Sequence, residues 1–296
     1  MTGAGPERRS RRIKLLALDL DGTLLTTDKR LTPENEAALR RAAEAGIEIV
    51  PATGRFFGAM PEAVRSLPYL HYAITVNGAQ VRSVRDGCVL FRAELPWQRA
   101  VAVMTFLDSL PVIYDCYSDD WGWMTKSLYD RAADFAPHRY SLELLQTTRT
   151  PVPELKAHLA AVQHDVQKIQ MFFRDQDLRE KTMRQLAERF PELIVTSSLP
   201  RNVELNHIEA QKGVALRKLA AHLHLTMEET MAFGDDLNDV SMLQAAGIGV
   251  AMGNAGPEAK AAADVLTAPC DENGVAQAID RWVFGESPDN SACSLR

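Results

Sequence analysis

The chain is short of the features that mark several large protein classes. Its four cysteines, Cys88, Cys116, Cys270 and Cys293, are scattered and form no C-x-x-C pair. That argues against a disulfide scaffold or a thiolate metal site, and reads as reduced thiols in a cytoplasmic protein. No stretch approaches the roughly 18 consecutive apolar residues of a membrane span, so no membrane association is expected. Nor is there a basic excess: Lys and Arg number 33 against 39 Asp and Glu, a net charge of −6, so nucleic acid is not expected as a main partner. None of the seven histidines gains a metal-binding or catalytic spacing; His158 and His164 lie six apart, and His222 and His224 do not share a helix face. Residues 1–12 are polar and arginine-rich, without the apolar run of a secretory signal. They read as a disordered lead, an anion-binding arm being the minor alternative, and residues 286–296 as a flexible tail.

What is present suits a globular protein of one or two domains with an ample core: 296 residues, 46% hydrophobic and 24% charged. The stretch Leu15–Leu25, LLALDLDGTLL, organises the rest. Its apolar lead reads as a strand buried on both faces of a parallel sheet. Asp19 and Asp21 then sit at the carboxyl end of that strand, where open α/β sheets bind their ligands. Two carboxylates this close raise one another's pKa unless a cation lies between them, and Mg²⁺ prefers such oxygen ligands. The plainer reading of Asp21-Gly22 alone is a turn.

Thr32-Pro33 then opens a helix over 33–45 that stops at Gly46. Ile47–Val50 gives a second short strand, ending in Pro51-Ala52-Thr53-Gly54-Arg55 and completing a βαβ unit. Thr53 and Gly54 offer a hydroxyl and an unhindered N–H to a phosphate, although for the pair alone a Thr-capped turn is the plainer reading. Arg55 either faces substrate or braces the loop. Ile74–Val76 is a third strand, closed by the hairpin signal Asn77-Gly78. From about 85 to 200 the pattern changes: strands at Cys88–Leu95, Val112–Tyr117, Lys168–Phe173 and Leu193–Ser197 alternate with helices over 97–110, 153–163 and 178–190. This is an α+β insert with an antiparallel sheet covered by helices. Its Asp119–Trp123 cluster reads mainly as a hairpin turn with aromatics packing on the sheet, and otherwise as a substrate-facing loop. After it, Lys212-Gly213 starts a helix against the dipole's preference. Thr230–Phe233 is another apolar strand, ending in Gly234-Asp235-Asp236-Leu237-Asn238-Asp239.

Taken together, D-x-D-G-T, the strand-end A-T-G-R, K-G-x-A-L and G-D-x-x-N-D resemble, in order, the four motifs of the haloacid dehalogenase (HAD) superfamily, and specifically its Cof-like subfamily IIB phosphatases with a C2B cap. The resemblance covers about residues 13–284; Asn206–Gln211 departs from the family pattern just before Lys212. It implies a Rossmann-like doubly wound parallel sheet with an inserted α+β cap domain. The core then comprises 13–84 and 201–285, and the cap 85–200. It further implies a Mg²⁺-dependent phosphatase of small phosphorylated metabolites, with Asp19 as nucleophile and Asp21, its pKa raised, as general acid and base. Lys212 pairs with the nucleophile; Thr53, Gly54, Lys212 and Asn238 hold phosphate oxygens; Asp19, the Asp21 carbonyl and Asp235 hold the metal; Asp239 orients water bound to that metal. A phosphomutase, or a catalytically silent regulatory or binding protein on the same fold, is the alternative. A monomer or homodimer is expected.

Overall fold

The computed structural model describes residues 13–135, 139–197 and 201–285; the lead, the tail and Cys293 lie outside these. In chain order the strands begin with β1 (Leu15–Leu18) and β2 (Glu48–Pro51), then β3 (Tyr72–Thr75), β4 (Gln80–Ser83) and β5 (Val89–Arg92). The insert follows with β6 (Ile113–Ser118), β7 (Trp121–Thr125), β8 (Arg149–Val152), β9 (Val166–Phe172), β10 (Leu193–Thr196) and β11 (Asn202–His207). Last come β12 (Thr230–Gly234), β13 (Ile248–Ala251) and β14 (Val265–Leu266).

The central sheet is parallel in the order β14-β13-β12-β1-β2. β1 sits inside it, and its alternation explains why an unbroken apolar run was needed. Leu16 and Leu18 pack on one face with Leu39 and Ala42 of the helix Pro33–Glu44 and Ile279 of the helix Gly274–Trp282. Leu15 and Ala17 pack on the other with Ala215, Leu216 and Leu219 of the helix Lys212–His222. All four β1 residues are fully buried, and each leucine contributes about 2 kcal/mol. Helices thus cover both faces, as a doubly wound sheet requires.

The second sheet runs β10-β11-β9-β6-β7-β8, antiparallel except for β7 with β8. Its apolar face, with Cys116, Ile169, Met171, Val203 and Leu205, packs on the helices Trp97–Leu107, Leu155–Val162 and Gln176–Arg189 through Met104, Leu159 and Leu186. The opposite face carries Tyr117, Lys168, Gln170 and Glu204 toward the central sheet.

Strand pairing differs from the sequence expectation at both ends of this insert. Val89–Arg92 pairs with β4 in a separate antiparallel sheet, β3-β4-β5, whose Phe91 packs beside Leu15 and Leu216. β-Branched and aromatic content places this segment with the insert but does not tell which sheet a strand joins. At the other end, Asn202–His207 pairs with β9 and β10 of the insert, although its number places it beyond 200. The Asp119–Trp123 cluster is a hairpin: Asp119 (φ 55°) and Asp120 (φ 56°) make the left-handed two-residue turn that suits the twist of β6 and β7. Cys88, Cys116 and Cys270 are free thiols, and among the described residues no helix is long and apolar enough to cross a membrane.

Candidate active site

Parallel pairing of β1 with β12 in the register Leu18↔Phe233 brings two strand ends together, and with them Asp19 and Asp235. Their loops form the floor of a cavity of about 570 Å³ roofed by the polar face of the second sheet. The helix Lys212–His222 points its first residue into this floor. Lys212 is fully buried, its Nζ donating at 2.6 Å to Oδ1 of Asp19 and at 2.6 Å to Oδ1 of Asp239. Burial opposes its charge, but the two carboxylates outweigh that and push its pKa up, so it remains an ammonium. Lysine at this position is disfavoured by the helix dipole; the paired acids offset the cost.

Gly213 allows that placement. A Cβ there would lie 2.1 Å from the Ser241 carbonyl oxygen, where the helix meets the helix Val240–Ala245. Gly213→Ala is therefore expected to lower stability by about 1–3 kcal/mol through overpacking and to reduce activity as Lys212 is pushed aside; thermal melting and turnover of the same preparation check both.

Asp239 is fully buried, and its Oδ2 accepts from the N–H groups of Asp235 (2.9 Å) and Asp236 (3.1 Å). Both of its oxygens thus serve the loop and Lys212. Asp235 accepts from the Thr23 hydroxyl at 2.8 Å. Oxygens of Asp19, Asp235 and Asp239 lie within 4.8 Å of one another. Burial above all, with the neighbouring carboxylates adding to it, pushes Asp235 up to about 7 and Asp19 well up against the pull of Lys212. Two buried acids, a half-buried third and one lysine make an oxygen cluster under strain from its own charge. That is a donor set suited to a hard divalent cation such as Mg²⁺.

Asp21 departs from expectation. Its carboxylate is clamped by Arg55, Nε to Oδ2 and Nη2 to Oδ1 at 2.7 Å each, and by Lys29 Nζ at 3.0 Å. Burial raises its pKa, but the hydrogen bonds and charges of Arg55 and Lys29 prevail and hold it at about 2. The raised value expected from a D-x-D pair fails because the two side chains diverge to different partners, Asp19 to Lys212 and Asp21 to Arg55. Arg55 also donates to the Ala59 carbonyl at 3.1 Å, so it both braces its loop and grips Asp21. Lys29 reaches Asp21 from a left-handed backbone position (φ 60°).

Thr53 is buried at the end of β2, its hydroxyl accepting from the Arg55 N–H at 3.1 Å. Gly54 lies against Asn77 and Asn238; a Cβ there would sit 2.8 Å from Asn77 Oδ1. Asn238 Nδ2 donates to that same oxygen at 3.1 Å. All eight residues singled out from the sequence, Asp19, Asp21, Thr53, Gly54, Lys212, Asp235, Asn238 and Asp239, therefore gather in one place. The sequence reading missed Lys168 and Glu204, which enter from the cap face, 3.0 Å apart. Their signal lies in the alternations Lys168-Ile169-Gln170-Met171 and Val203-Glu204-Leu205, which turn polar residues to one side of each strand.

The model of the haloacid dehalogenase-like hydrolase family matches residues 16–279. The chain belongs to this family. The hydrolase is 30% identical over 272 residues to the 5-amino-6-(5-phospho-D-ribitylamino)uracil phosphatase YcsE of Bacillus subtilis (strain 168), covering 92% of this chain and 96% of that protein. Among solved structures it is similar to a haloacid dehalogenase-like hydrolase from B. subtilis, with a TM-score of 0.80 and 32% identity over 90% of this chain and 99% of the other. It also resembles the HAD subclass IIB sugar phosphatase BT4131, with a TM-score of 0.76 and 26% identity over 92% and 99% of the two chains. The hydrolase is thus a Cof-like member of subclass IIB, a parallel α/β core carrying an antiparallel-sheet cap, as its motifs indicated.

Proposed function

We propose that the protein is a Mg²⁺-dependent phosphatase of small phosphorylated metabolites, sugar phosphates or related monoesters, working through an aspartyl-phosphate on Asp19. The observation that carries this reading is the triad of contacts at one strand end: Asp19 held at 2.6 Å by a buried lysine, beside Asp235, on the floor of a capped cavity. Phosphatase-named relatives support the reaction class.

Asp19, Asp235 and the main-chain carbonyl of Asp21 are the groups we assign to the metal. Bound there, Mg²⁺ supplies positive charge against the phosphoryl oxygens and the carboxylates. A carboxylate oxygen of Asp19 attacks phosphorus, and the bond to the ester oxygen breaks. Lys212 keeps Asp19 oriented, favours its carboxylate form against the effect of burial, and lends charge to the transferred group. To Thr53, Gly54 and Asn238 we assign the phosphoryl oxygens, through a hydroxyl, an N–H and an amide. The departing alkoxide needs a proton, which we assign to Asp21: its carboxylate must first leave the grip of Arg55 and Lys29 and take up a proton from solvent, which it then passes to the ester oxygen. Water then attacks the phospho-aspartate. Asp21, ionised as it is when paired with Arg55, is suited to take the proton from that water. Inorganic phosphate leaves and Asp19 is restored. Asp239, with both oxygens committed to the protein, steadies Lys212 and the 235–236 backbone.

The test is phosphate release from p-nitrophenyl phosphate and a panel of sugar and nucleotide phosphates, with Mg²⁺ and with EDTA. Release that chelation silences and Mg²⁺ restores is the expected result. Turnover indifferent to EDTA removes the metal from the reading, and no release from any compound removes the phosphatase assignment.

A further inference from the structure

Lys168 on β9 and Glu204 on β11 are each only 2% exposed and pair at 3.0 Å, on a cap wall that also buries the pair Arg149–Asp115 at 3.2 Å. Desolvating two ions is costly, so their partners show what the cost secures. Lys168 Nζ also donates at 2.8 Å to the carbonyl of Gly54, in the loop of Thr53, and lies 4.6 Å from the Tyr117 ring centroid. Glu204 accepts from Asn77 Nδ2 at 2.6 Å and from Asn202 Nδ2 at 3.2 Å. Asn77 stands in a left-handed conformation (φ 60°). Its N–H donates to the Thr53 carbonyl at 3.0 Å, and its Oδ1 accepts from Asn238. A second cap side chain, Asn206, accepts from Asn77 at 3.1 Å and donates to the Val76 carbonyl at 3.3 Å. Two cap strands therefore hold the core segments 53–54 and 76–77 directly and 238 through Asn77, and with them Thr53, Gly54 and Asn238.

Resting on the phosphatase reading, we propose that Lys168 and Glu204 are positioning residues for phosphoryl transfer itself. They set Gly54 directly, and Asn238 through Asn77, in register with Asp19. The cap then serves the phosphoryl group common to all substrates as well as the part that differs among them. Displacement of such donors by about 1 Å is enough to cost on the order of 10²-fold in rate.

The test compares wild type with Lys168→Met, Glu204→Gln and the double variant, which leaves neither ion buried alone and so guards against misfolding. Rates are measured on p-nitrophenyl phosphate and on the panel; binding of inorganic phosphate with Mg²⁺ is measured by calorimetry. A loss of kcat of roughly 10- to 100-fold, by the same factor on every substrate, with weaker phosphate binding and an unchanged substrate ranking, is the expected result. The double variant should be no worse than the worse single, and Lys168→Arg should recover part of the loss. A changed ranking with phosphate binding intact makes Lys168 a leaving-group contact and overturns the proposal. Lowered melting with kcat and phosphate binding intact makes the pair simple cap-to-core glue and overturns it too. A wild type that binds phosphate yet releases none from any substrate fails the phosphatase reading alone, since the binding comparison still reports on the two residues.

Discussion

Asp19→Asn is expected to lower phosphate release by about 10⁴-fold or more, the scale of nucleophile deletions, while leaving the protein folded. The amide has the volume of the acid and fills the same buried position, but it cannot attack phosphorus or carry the phosphoryl group. It also takes one negative charge out of a cluster whose members lie within 4.8 Å, so the remaining acids repel less. Lys212 keeps Asp239 as its counter-ion at 2.6 Å. Rapid acid quench should find phosphate covalently bound to wild type and none on the variant. Turnover that survives the substitution would remove Asp19 as the nucleophile.

Lys212→Met should fail in two ways at once. Activity should drop by about 10²–10³-fold, the scale for removing a preorganised charge from a transition state. Stability should drop too, by about 3–5 kcal/mol, because Asp19 and Asp239 would be left buried without their shared cation. At this size each kcal/mol moves the midpoint by about 2–4 °C. Mg²⁺ should return part of the lost stability by supplying charge to the same acids. A variant as stable as wild type without metal would show that the lysine does not hold the two aspartates, whatever its effect on rate.

The catalytic floor was legible because its chemistry is local. Each acid or donor stands at the end of a short apolar strand, and strand ends can be counted along a sequence. The fate of Asp21 was not legible. Which of two neighbouring carboxylates pairs with Lys212 and which with Arg55 depends on side-chain direction, and Arg55 and Lys29 reach Asp21 only through the folding of separate loops. The outline of the insert was legible for the helices Trp97–Leu107, Leu155–Val162 and Gln176–Arg189 and for β6, β9 and β10, but not for the helices Lys126–Tyr129 and Arg139–Thr148 or for β7 and β8. Its edges were not, because β5 and β11 are assigned by long-range pairing that local composition does not encode. Lys168 and Glu204 were passed over for a related reason. A lone charge in an apolar strand reads as a solvated position until the opposite wall is known.

The partners of β1 have a consequence for the order of assembly. One neighbour, β2, follows after a single helix, but the other, β12, pairs Thr230 with Leu15. Closing that pair spans the whole insert, so it is among the slowest contacts to form. The insert has its own sheet and apolar cluster and can condense earlier, as a unit. During synthesis the strand that leads into Asp19 waits with one edge bare until nearly four-fifths of the chain has emerged, about residue 234, the end of β12. A ribosome stalled short of that point holds a finished lid over an unfinished floor, and the exposed edge of β1 is where such a chain would stick to its neighbours.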